Sequence, residues 1–396
     1  MKHIVYVWEM GQGLGHLMGF LPLALELRRR GHRVTFVMKD LSRAEQFLTP
    51  HNFEFFQAPI WLPKAVGIPG AVTFSDILLK FGFLDFKGIT SLCRAWRSLL
   101  AVIKPDLLIL DHAPTALLAT TGLGIPRALI GTGYFSPPHT KPLPPLMWWQ
   151  KIPNEQLVQS EQRILNVVNQ TLTELSHPSF NALHELFHVE EDFICTFSEL
   201  EHYQGRSETE YWGPRFSLDE GMAPSWPMGE EKRVFAYLNP HYQHFDLLMQ
   251  TLNSLPVCVL VVGLGASRQQ IVKYQSPRIH LVNSVVNVNK VGQECDLAIN
   301  HGGHGTASAM LLAGKPLLVL PNHVEQLIMA KNIEKLNLGR YVEIKAKKPN
   351  FKSMLKCLIF EEKFSDNAKL FAEKYQEFDH EKQILLMANR SVELMH

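Results

Sequence analysis

The sequence predicts an α/β protein with two doubly wound parallel sheets. Two observations support this fold class: short apolar runs typical of buried strands alternate with helix-like segments, and this alternation occurs twice along the 396 residues. A chain of this length is also too long for one compact core. We therefore expect two domains of ordinary size.

The first series of strands occupies the first half of the chain. The predicted strands are "HIVYVW" (3–8), "RVTFVM" (33–38), "FEFFQ" (53–57), "DLLIL" (106–110), "RALI" (127–130) and "FICT" (193–196). Between the first two strands, a helix with Leu17, Leu21 and Leu25 on one face is predicted to stop at Gly31. These elements predict an N-terminal domain over residues 1–214.

A second series follows residues 215–232, whose Pro, Gly and charge content predicts a linker. Its strands are "RVFAYL" (233–238), "VCVLVVG" (257–263), "RIHLV" (278–282), "DLAIN" (296–300) and "KPLLVLP" (315–321). They predict a C-terminal domain over residues 233–378. Residues 379–396 are expected to form a C-terminal helix, for which packing back on the N-terminal domain is one arrangement.

Composition indicates a small-molecule partner. The 39 Lys and Arg residues balance 38 Asp and Glu residues, so no strong field favours nucleic acid. Five cysteines without C-x-x-C spacing argue against a disulfide framework and a thiolate metal site, and they fit a reducing cytoplasm. The amino terminus lacks signal-peptide features, and the longest apolar run is about half of the roughly 20 residues in a membrane span. We expect a cytoplasmic protein without a transmembrane segment.

The stretch "GQGLGHLMGF" follows the first strand and opens the first helix. Such glycines can indicate dinucleotide binding, which also requires a third glycine and an acidic residue after the second strand. Gly11, Gly13 and Asp40 fit that pattern, but His16 replaces the third glycine. Binding of a nicotinamide or flavin cofactor is therefore the less favoured of two interpretations.

The stretch "NHGGHGTASAMLLAGKPLLVLPNHVEQ" runs from a buried-type strand through glycines into a helix. The backbone amides of Gly302, Gly303 and Gly305 are expected to face an anion at the helix N-terminus. Thr306 can add a hydroxyl donor, and His301 can add a ring N–H or a positive charge. The pattern predicts a diphosphate-binding loop without the lysine of a P-loop.

This second stretch resembles the donor-site signature of the UDP-glycosyltransferase superfamily, in particular bacterial members that modify macrolides and other natural products. The resemblance extends to "GQGLGH", "RRRGHRVTF", "KPDLLILDHAPTALLATTGLGIP" and "YWGPRF". It implies the GT-B fold, in which two Rossmann-like domains face each other across a cleft. It also implies transfer of a sugar from a UDP- or dTDP-sugar to a hydroxyl, with inversion and without a metal or other cofactor.

The resemblance implies a role for each matched residue. His16 matches the general base, and Asp111 matches the acid that orients it. The implied donor contacts are His301, Gly303 and Thr306 for the diphosphate, with Gly302 and Gly305 in the same loop, and Glu325 and Gln326 for the sugar hydroxyls.

Two long segments, 58–92 and 134–153, are rich in aromatic residues and predict binding loops for an apolar acceptor. The candidate acceptor contacts are Gly15, Trp61, Phe83 and Trp148. A polyproline-type surface segment or a subunit contact remains an alternative for these loops. A lipid acceptor, or peripheral membrane contact through "LMWW", also remains open.

Each candidate residue also has a purely structural interpretation. His16 can be a partly exposed residue at a helix start, and Asp111 can cap a helix that begins near Pro114. The "HGGH" histidines can be metal ligands, although no third ligand is evident. Glu325 can serve only to complement the dipole of a helix from about 324 to 336.

The sequence departs from the family pattern at three places. Val285 lies where many members have a tryptophan on the nucleotide base, and Ala309 lies where plant members have an acidic ribose contact. Tyr237 and Asn239 replace a turn of small residues near the phosphates. These departures leave the nucleotide open. A nucleotide-sugar 2-epimerase, or an accessory protein that binds the nucleotide sugar without turnover, are the alternative functions.

Overall fold

The computed structural model describes residues 1–11, 13–63, 67, 70–206, 209–216, 221–229 and 231–396. Two compact units are present: unit 1 comprises Met1–Arg215 and His380–His396, and unit 2 comprises Phe216–Asp379. Parts of the predicted linker (217–220 and 230) and of the predicted 58–92 loop (64–66, 68 and 69) lie outside the described residues.

Unit 1 contains a six-stranded sheet in the order β3-β2-β1-β4-β5-β6, and every neighbouring pair is parallel. Its strands are β1 (His3–Trp8), β2 (Arg33–Met38), β3 (Glu54–Gln57), β4 (Leu107–Asp111), β5 (Arg127–Gly131) and β6 (Glu191–Ile194). The helices are α1 (Gly15–Arg29), α2 (Ala44–Phe47), α3 (Phe74–Leu79), α4 (Phe86–Ile103), α5 (Pro114–Thr120), α6 (Asn154–Glu174) and, at the end of the chain, α14 (His380–Glu393).

Unit 2 repeats this architecture with a parallel sheet in the order β12-β11-β10-β7-β8-β9. Its strands are β7 (Lys232–Tyr237), β8 (Val257–Val262), β9 (Ile279–Val282), β10 (Leu297–Asn300), β11 (Leu317–Val319) and β12 (Gly339–Tyr341). The helices are α7 (Phe245–Asn253), α8 (Arg268–Tyr274), α9 (Val288–Glu294), α10 (His304–Leu312), α11 (Val324–Lys335), α12 (Phe351–Phe360) and α13 (Glu362–Lys374).

The predicted fold class is therefore confirmed, and each predicted strand overlaps an observed one. The run "FICT" is displaced, because the strand covers Glu191–Ile194 instead. The strand Gly339–Tyr341 is not predicted, since its residues, Gly-Arg-Tyr, do not form an apolar run.

The C-terminal helix α14 belongs to unit 1 through side-chain bonds. The Gln383 amide donates to the backbone carbonyls of Trp212 and Gly213, and Arg390 pairs with Glu191 at the start of β6. Arg30, which follows α1, donates to the Asn389 side chain at 2.6 Å. Unit 1 is thus discontinuous in sequence.

Strand order places the functional loops. In unit 1 the chain reverses direction across the sheet between β1 and β4, and in unit 2 between β7 and β10. Loops at the carboxyl ends of such strands form the usual ligand sites of doubly wound sheets. His16 follows β1, Asp111 ends β4, and His301 follows β10. Within the described residues, no helix combines the length and apolarity needed to cross a membrane.

Candidate active site

His16 and Asp111 form a hydrogen-bonded pair at the carboxyl edge of the unit 1 sheet. Asp111 is the last residue of β4 and lies beside Trp8 of β1, while His16 is in the first turn of α1. The His16 Nδ1 atom lies 2.9 Å from Asp111 Oδ1. The Asp111 side chain is fully buried, whereas 13% of the His16 side chain is exposed. An ionised Asp111 fixes the tautomer that carries its proton on Nδ1 and leaves Nε2 as a base.

Two further groups satisfy the second oxygen of Asp111. The Tyr6 hydroxyl and the Arg215 guanidinium each lie 3.0 Å from Oδ2. Burial opposes ionisation of this carboxyl, but the opposing charges of His16 and Arg215 outweigh it and hold the pKa of Asp111 below its usual value. The carboxylate therefore stays negative and orients His16.

Tyr6 and Arg215 are site residues that the sequence analysis does not identify. Tyr6 lies inside an apolar strand, and its hydroxyl also lies 3.1 Å from the His16 carbonyl oxygen. Arg215 belongs to the quoted "YWGPRF" motif but is assigned to the linker by its composition. The one available signal for it was its place in that motif.

The loop before α1 leaves space for the His16 ring. Gly11 has φ +91°, a conformation that favours glycine, and a Cβ atom there would lie 2.4 Å from His16 Nε2. On other sides the ring stacks on Trp8, with centroids 5.0 Å apart, and approaches Phe135 at 5.8 Å. Gly11 thus lies directly beside the Nε2 atom of His16, where a side chain would collide with the ring.

One alternative interpretation of this region disagrees with the structure. Asp111 does not cap α5, because the Glu9 carboxylate accepts the Thr115 and Ala116 backbone N–H groups at 3.0 and 2.7 Å. Asp40 is exposed and accepts the Ser42 backbone N–H, which is a local turn contact.

The predicted donor loop of unit 2 connects β10 to α10. Gly302 has φ +80°, and its N–H donates to the Asn300 side chain at 2.7 Å. Gly303 is exposed and precedes α10, where Gly305 and Thr306 lie in the first turn. The first N–H groups of an α-helix have no partner within the helix, so this turn presents donors and a positive dipole end to an anion.

The hydrogen bonds of the His301 ring differ from the predicted phosphate contact. Its Nδ1 lies 2.7 Å from the Leu320 carbonyl oxygen, and its Nε2 accepts the Asn239 backbone N–H at 2.9 Å. Burial lowers the pKa of His301, and the Leu320 bond offsets this only in part. In this arrangement the ring is neutral and has no free N–H, so it does not offer a phosphate the N–H or charge expected from the sequence.

Glu325 and Gln326 open α11, where the acidic residue lies in the first turn. The Gln326 side-chain oxygen accepts the Asn322 backbone N–H at 2.8 Å. Both side chains are half-buried. Gln326 therefore shapes the preceding loop as well as being a candidate sugar contact.

The four predicted acceptor residues lie in different environments. Trp61 lines a cavity of about 40 Å³, together with Glu9, Met10, Lys39, Ile60, Phe81 and Thr115. Gly15 is exposed beside His16, and Trp148 is half-buried against Trp149. Phe83 is 0% exposed and is not among the cavity-lining residues, so the structure does not support its predicted role.

The structure places the residues at which the sequence departs from the family pattern. Val285 is half exposed, and its carbonyl accepts the Met222 backbone N–H at 3.0 Å. Ala309 lies within α10, and Tyr237 ends β7. Asn239 contributes the backbone N–H that occupies His301 Nε2.

Replacing Arg215 with Met tests the charge balance around Asp111. Because it leaves a buried carboxylate without its cation, we expect unit 1 to lose about 3–5 kcal/mol of stability at pH 7. The folded pKa of Asp111 is lowered from 3.8, so its pairing stabilises the protein above that pH and is lost as the pH falls. The difference between wild type and variant should therefore shrink below about pH 4.

Urea unfolding followed by tryptophan fluorescence measures this effect, since six of the seven tryptophans lie in unit 1. Arg29→Met removes an exposed pair with Glu26 and is the control. Equal stability of Arg215→Met and wild type at pH 7 would contradict the assignment.

The sequence is similar to curated glycosyltransferases, although no protein-family profile matches it. Demethyllactenocin mycarosyltransferase of Streptomyces fradiae is 26% identical over 83% of this chain and 73% of its own length. UDP-glycosyltransferase 79B7 of Arabidopsis thaliana is 33% identical over 25% of this chain. This match spans only 23% of the length of the Arabidopsis protein. A separate match spans 16% of the length of an Ipomoea nil glucosyltransferase.

Solved glycosyltransferase structures share the fold over their whole length. The glycotransferase of kitacinnamycin has a TM-score of 0.74 at 19% identity, covering 99% of this chain and 98% of its own. The glycosyltransferase VinC, solved in complex with dTDP, has a TM-score of 0.68 at 15% identity, covering 99% and 100%. The chain therefore has the GT-B fold of the bacterial natural-product glycosyltransferases.

Proposed function

We propose that this chain is an inverting glycosyltransferase that moves a sugar from a nucleoside-diphosphate sugar to a hydroxyl of an apolar acceptor, without a metal. The observation that carries the proposal is the His16–Asp111 pair, in which a buried carboxylate holds Nδ1 of a partly exposed imidazole and so leaves Nε2 as the candidate base. The similarity to known glycosyltransferases supports the same reaction class.

The proposed base step follows from the geometry of unit 1. His16 Nε2 removes the acceptor hydroxyl proton as the acceptor oxygen forms a bond to the anomeric carbon. The bond from that carbon to the diphosphate oxygen breaks, and its electrons leave with the diphosphate. The proton then resides on the imidazolium, which the Asp111 carboxylate stabilises through the Nδ1 contact of 2.9 Å. Attack opposite the leaving group inverts the anomeric configuration.

Unit 2 is proposed to bind the leaving diphosphate. The charge that develops on this group is stabilised by the N-terminal N–H groups of α10 and by the Thr306 hydroxyl. His301 contributes by fixing the loop between Asn239 and Leu320 rather than by donating to phosphate. Relatives include UDP-dependent transferases and a dTDP-bound structure, so both nucleotides belong in the assay.

Replacement of His16 by Ala, and of Asp111 by Asn, tests the proposed base. We expect His16→Ala to lower the transfer rate by roughly 100- to 10,000-fold, because general-base catalysis contributes about that much. Asp111→Asn should also lower the rate, since the amide does not stabilise the imidazolium. His51→Ala, on a turn between β2 and β3, is the matched control.

Mass spectrometry of UDP- and dTDP-sugars mixed with apolar alcohols and phenols provides the measurement. Product NMR gives the anomeric configuration, and EDTA should leave the transfer rate unchanged. Unimpaired turnover by His16→Ala would contradict the proposed base. Sugar epimerisation without acceptor, or nucleotide-sugar binding without turnover, would instead support the epimerase or the accessory protein.

Alanine substitutions at the two adjacent glycines of the donor loop test the stability of the loop and the binding of the diphosphate separately. At Gly302 a Cβ would lie 2.9 Å from Val319 Cγ1 at positive φ, whereas at Gly303 it would meet open space. We expect Gly302→Ala to destabilise unit 2. Gly303→Ala should keep wild-type stability but weaken UDP and dTDP binding, because its new methyl group stands where the diphosphate is proposed to bind.

Isothermal titration calorimetry with UDP and dTDP, together with thermal unfolding, distinguishes the two variants. Wild-type nucleotide affinity in a stably folded Gly303→Ala protein would place the diphosphate elsewhere.

The cavity lined by Trp61, with a volume of about 40 Å³, is proposed to receive one small apolar group of the acceptor. The indole packs on Gly82 and Gly88, which leaves it fixed as a cavity wall. We expect Trp61→Ala to raise the acceptor KM roughly tenfold or more, as losing such an apolar contact costs about 1.5 kcal/mol or more. The donor KM should be unchanged.

Steady-state kinetics with the best acceptor from the panel gives both KM values. Trp148→Ala is the comparison variant, because Trp148 does not line this cavity. A larger acceptor KM in Trp148→Ala than in Trp61→Ala would indicate that the acceptor binds near Trp148 instead. Exclusive use of highly polar sugars as acceptors would contradict an apolar acceptor.

A further inference from the structure

Three histidines of unit 1 converge on its surface. His139 follows β5, while His184 and His188 lie on and just after a 3-10 turn over Leu183–Phe187. One ring nitrogen from each of the three lies within 4.8 Å of the others. The closest pair is His184 Nδ1 and His188 Nε2, at 3.2 Å. Three imidazole nitrogens this close together are candidate ligands for a zinc-class ion.

The two segments that carry these histidines are tied together by other groups. The buried Glu161 carboxylate accepts the Leu143 backbone N–H at 2.6 Å and the Leu183 backbone N–H at 3.3 Å. Lys141 Nζ donates to the Asn181 carbonyl at 2.7 Å. The histidines are therefore brought together by contacts that do not involve their own rings.

We propose that His139, His184 and His188 form a binding site for a divalent zinc-class transition-metal ion. In a tetrahedral site with Zn–N bonds of 2.0–2.1 Å, two ligand nitrogens stand about 3.3–3.4 Å apart. The His184–His188 distance of 3.2 Å is close to that value. On binding, the proton shared between these two rings moves to the opposite nitrogen of its own ring, so that three neutral imidazoles face the ion.

The surroundings suit an open site rather than a closed one. His139 and His188 are exposed, so water can complete the coordination. Lys141 and Arg206 oppose a cation electrostatically, while Glu161 and Glu185 favour one.

The sequence "HELFH" over residues 184–188 has the H-E-x-x-H spacing of zinc hydrolases. In those enzymes the glutamate is a general base. Here Glu185 accepts the backbone N–H groups of Asn181 and Ala182, at 2.8 and 3.0 Å, and closes the 3-10 turn. Oε1 of Glu185 thus holds the turn, and we assign the site metal binding alone.

Metal bound here would join the segment after β5 to the 3-10 turn. The same segment contains Phe135, whose ring approaches His16 at 5.8 Å. The inference uses none of the donor-loop residues and is independent of the proposed transferase reaction.

Calorimetric titration of the full, tag-free chain with ZnCl2 tests the proposal, and the visible absorption of bound Co2+ reports tetrahedral nitrogen coordination. We expect one ion per chain. Each single variant, His139→Ala, His184→Ala or His188→Ala, should lose roughly tenfold or more in affinity, since even an outer-sphere partner contributes about 10- to 100-fold. The triple variant should show no specific binding.

His51→Ala is the matched control, because it removes an imidazole of unit 1 outside the cluster. Circular dichroism confirms that each variant is folded, and the partly exposed positions of the three histidines favour this. Unchanged zinc affinity in the folded triple variant, or an equal loss in His51→Ala, would overturn the proposal. Because the readout is binding, its failure would leave the proposed sugar transfer untouched.

Discussion

The burial of one negative charge, on Asp111, determines much of unit 1. An ion of this size costs several kcal/mol to remove from water unless opposite charges and hydrogen bonds replace the lost solvation. Those partners come from β1, from the start of α1 and from the end of the first stretch of unit 1, through Tyr6, His16 and Arg215. The orientation of the histidine is thus a consequence of how the fold neutralises its buried carboxylate.

Unit 2 solves the corresponding problem with main-chain groups. Its donor loop depends on Gly302, where positive φ and the nearby Val319 side chain both exclude a larger residue. His301 supports this loop through two backbone bonds, which occupy both ring nitrogens. The chain therefore positions His16 with side chains and the loop after β10 with the backbone, and substitutions are expected to affect the two in different ways.

Much of the architecture could be predicted because strand patterning is a local property. The two parallel sheets follow from runs of four to seven mostly apolar residues, and the strand Gly339–Tyr341, which contains glycine and arginine, lacks that signal. Side-chain partnership is not local. Arg215 lies in a stretch that composition assigns to a linker, and its role depends on a carboxylate far away in sequence. Phe83 shows the same limit, since aromatic content does not reveal which face of a loop is buried. The bonding of His301 was missed because it depends on the backbone of Asn239.

The return of the chain to unit 1 has a consequence for biosynthesis. Residues 380–396 leave the ribosome after all of Phe216–Asp379, yet they supply α14 and its bonds to Trp212 and Gly213. Unit 2 is continuous and can fold while translation proceeds. Synthesis of unit 1 begins first, but this unit is complete only when α14 has been synthesised. Until then the face of α1 that α14 covers stays open to solvent, so the nascent chain carries unit 1 in an incomplete state until residues 380–396 have been added.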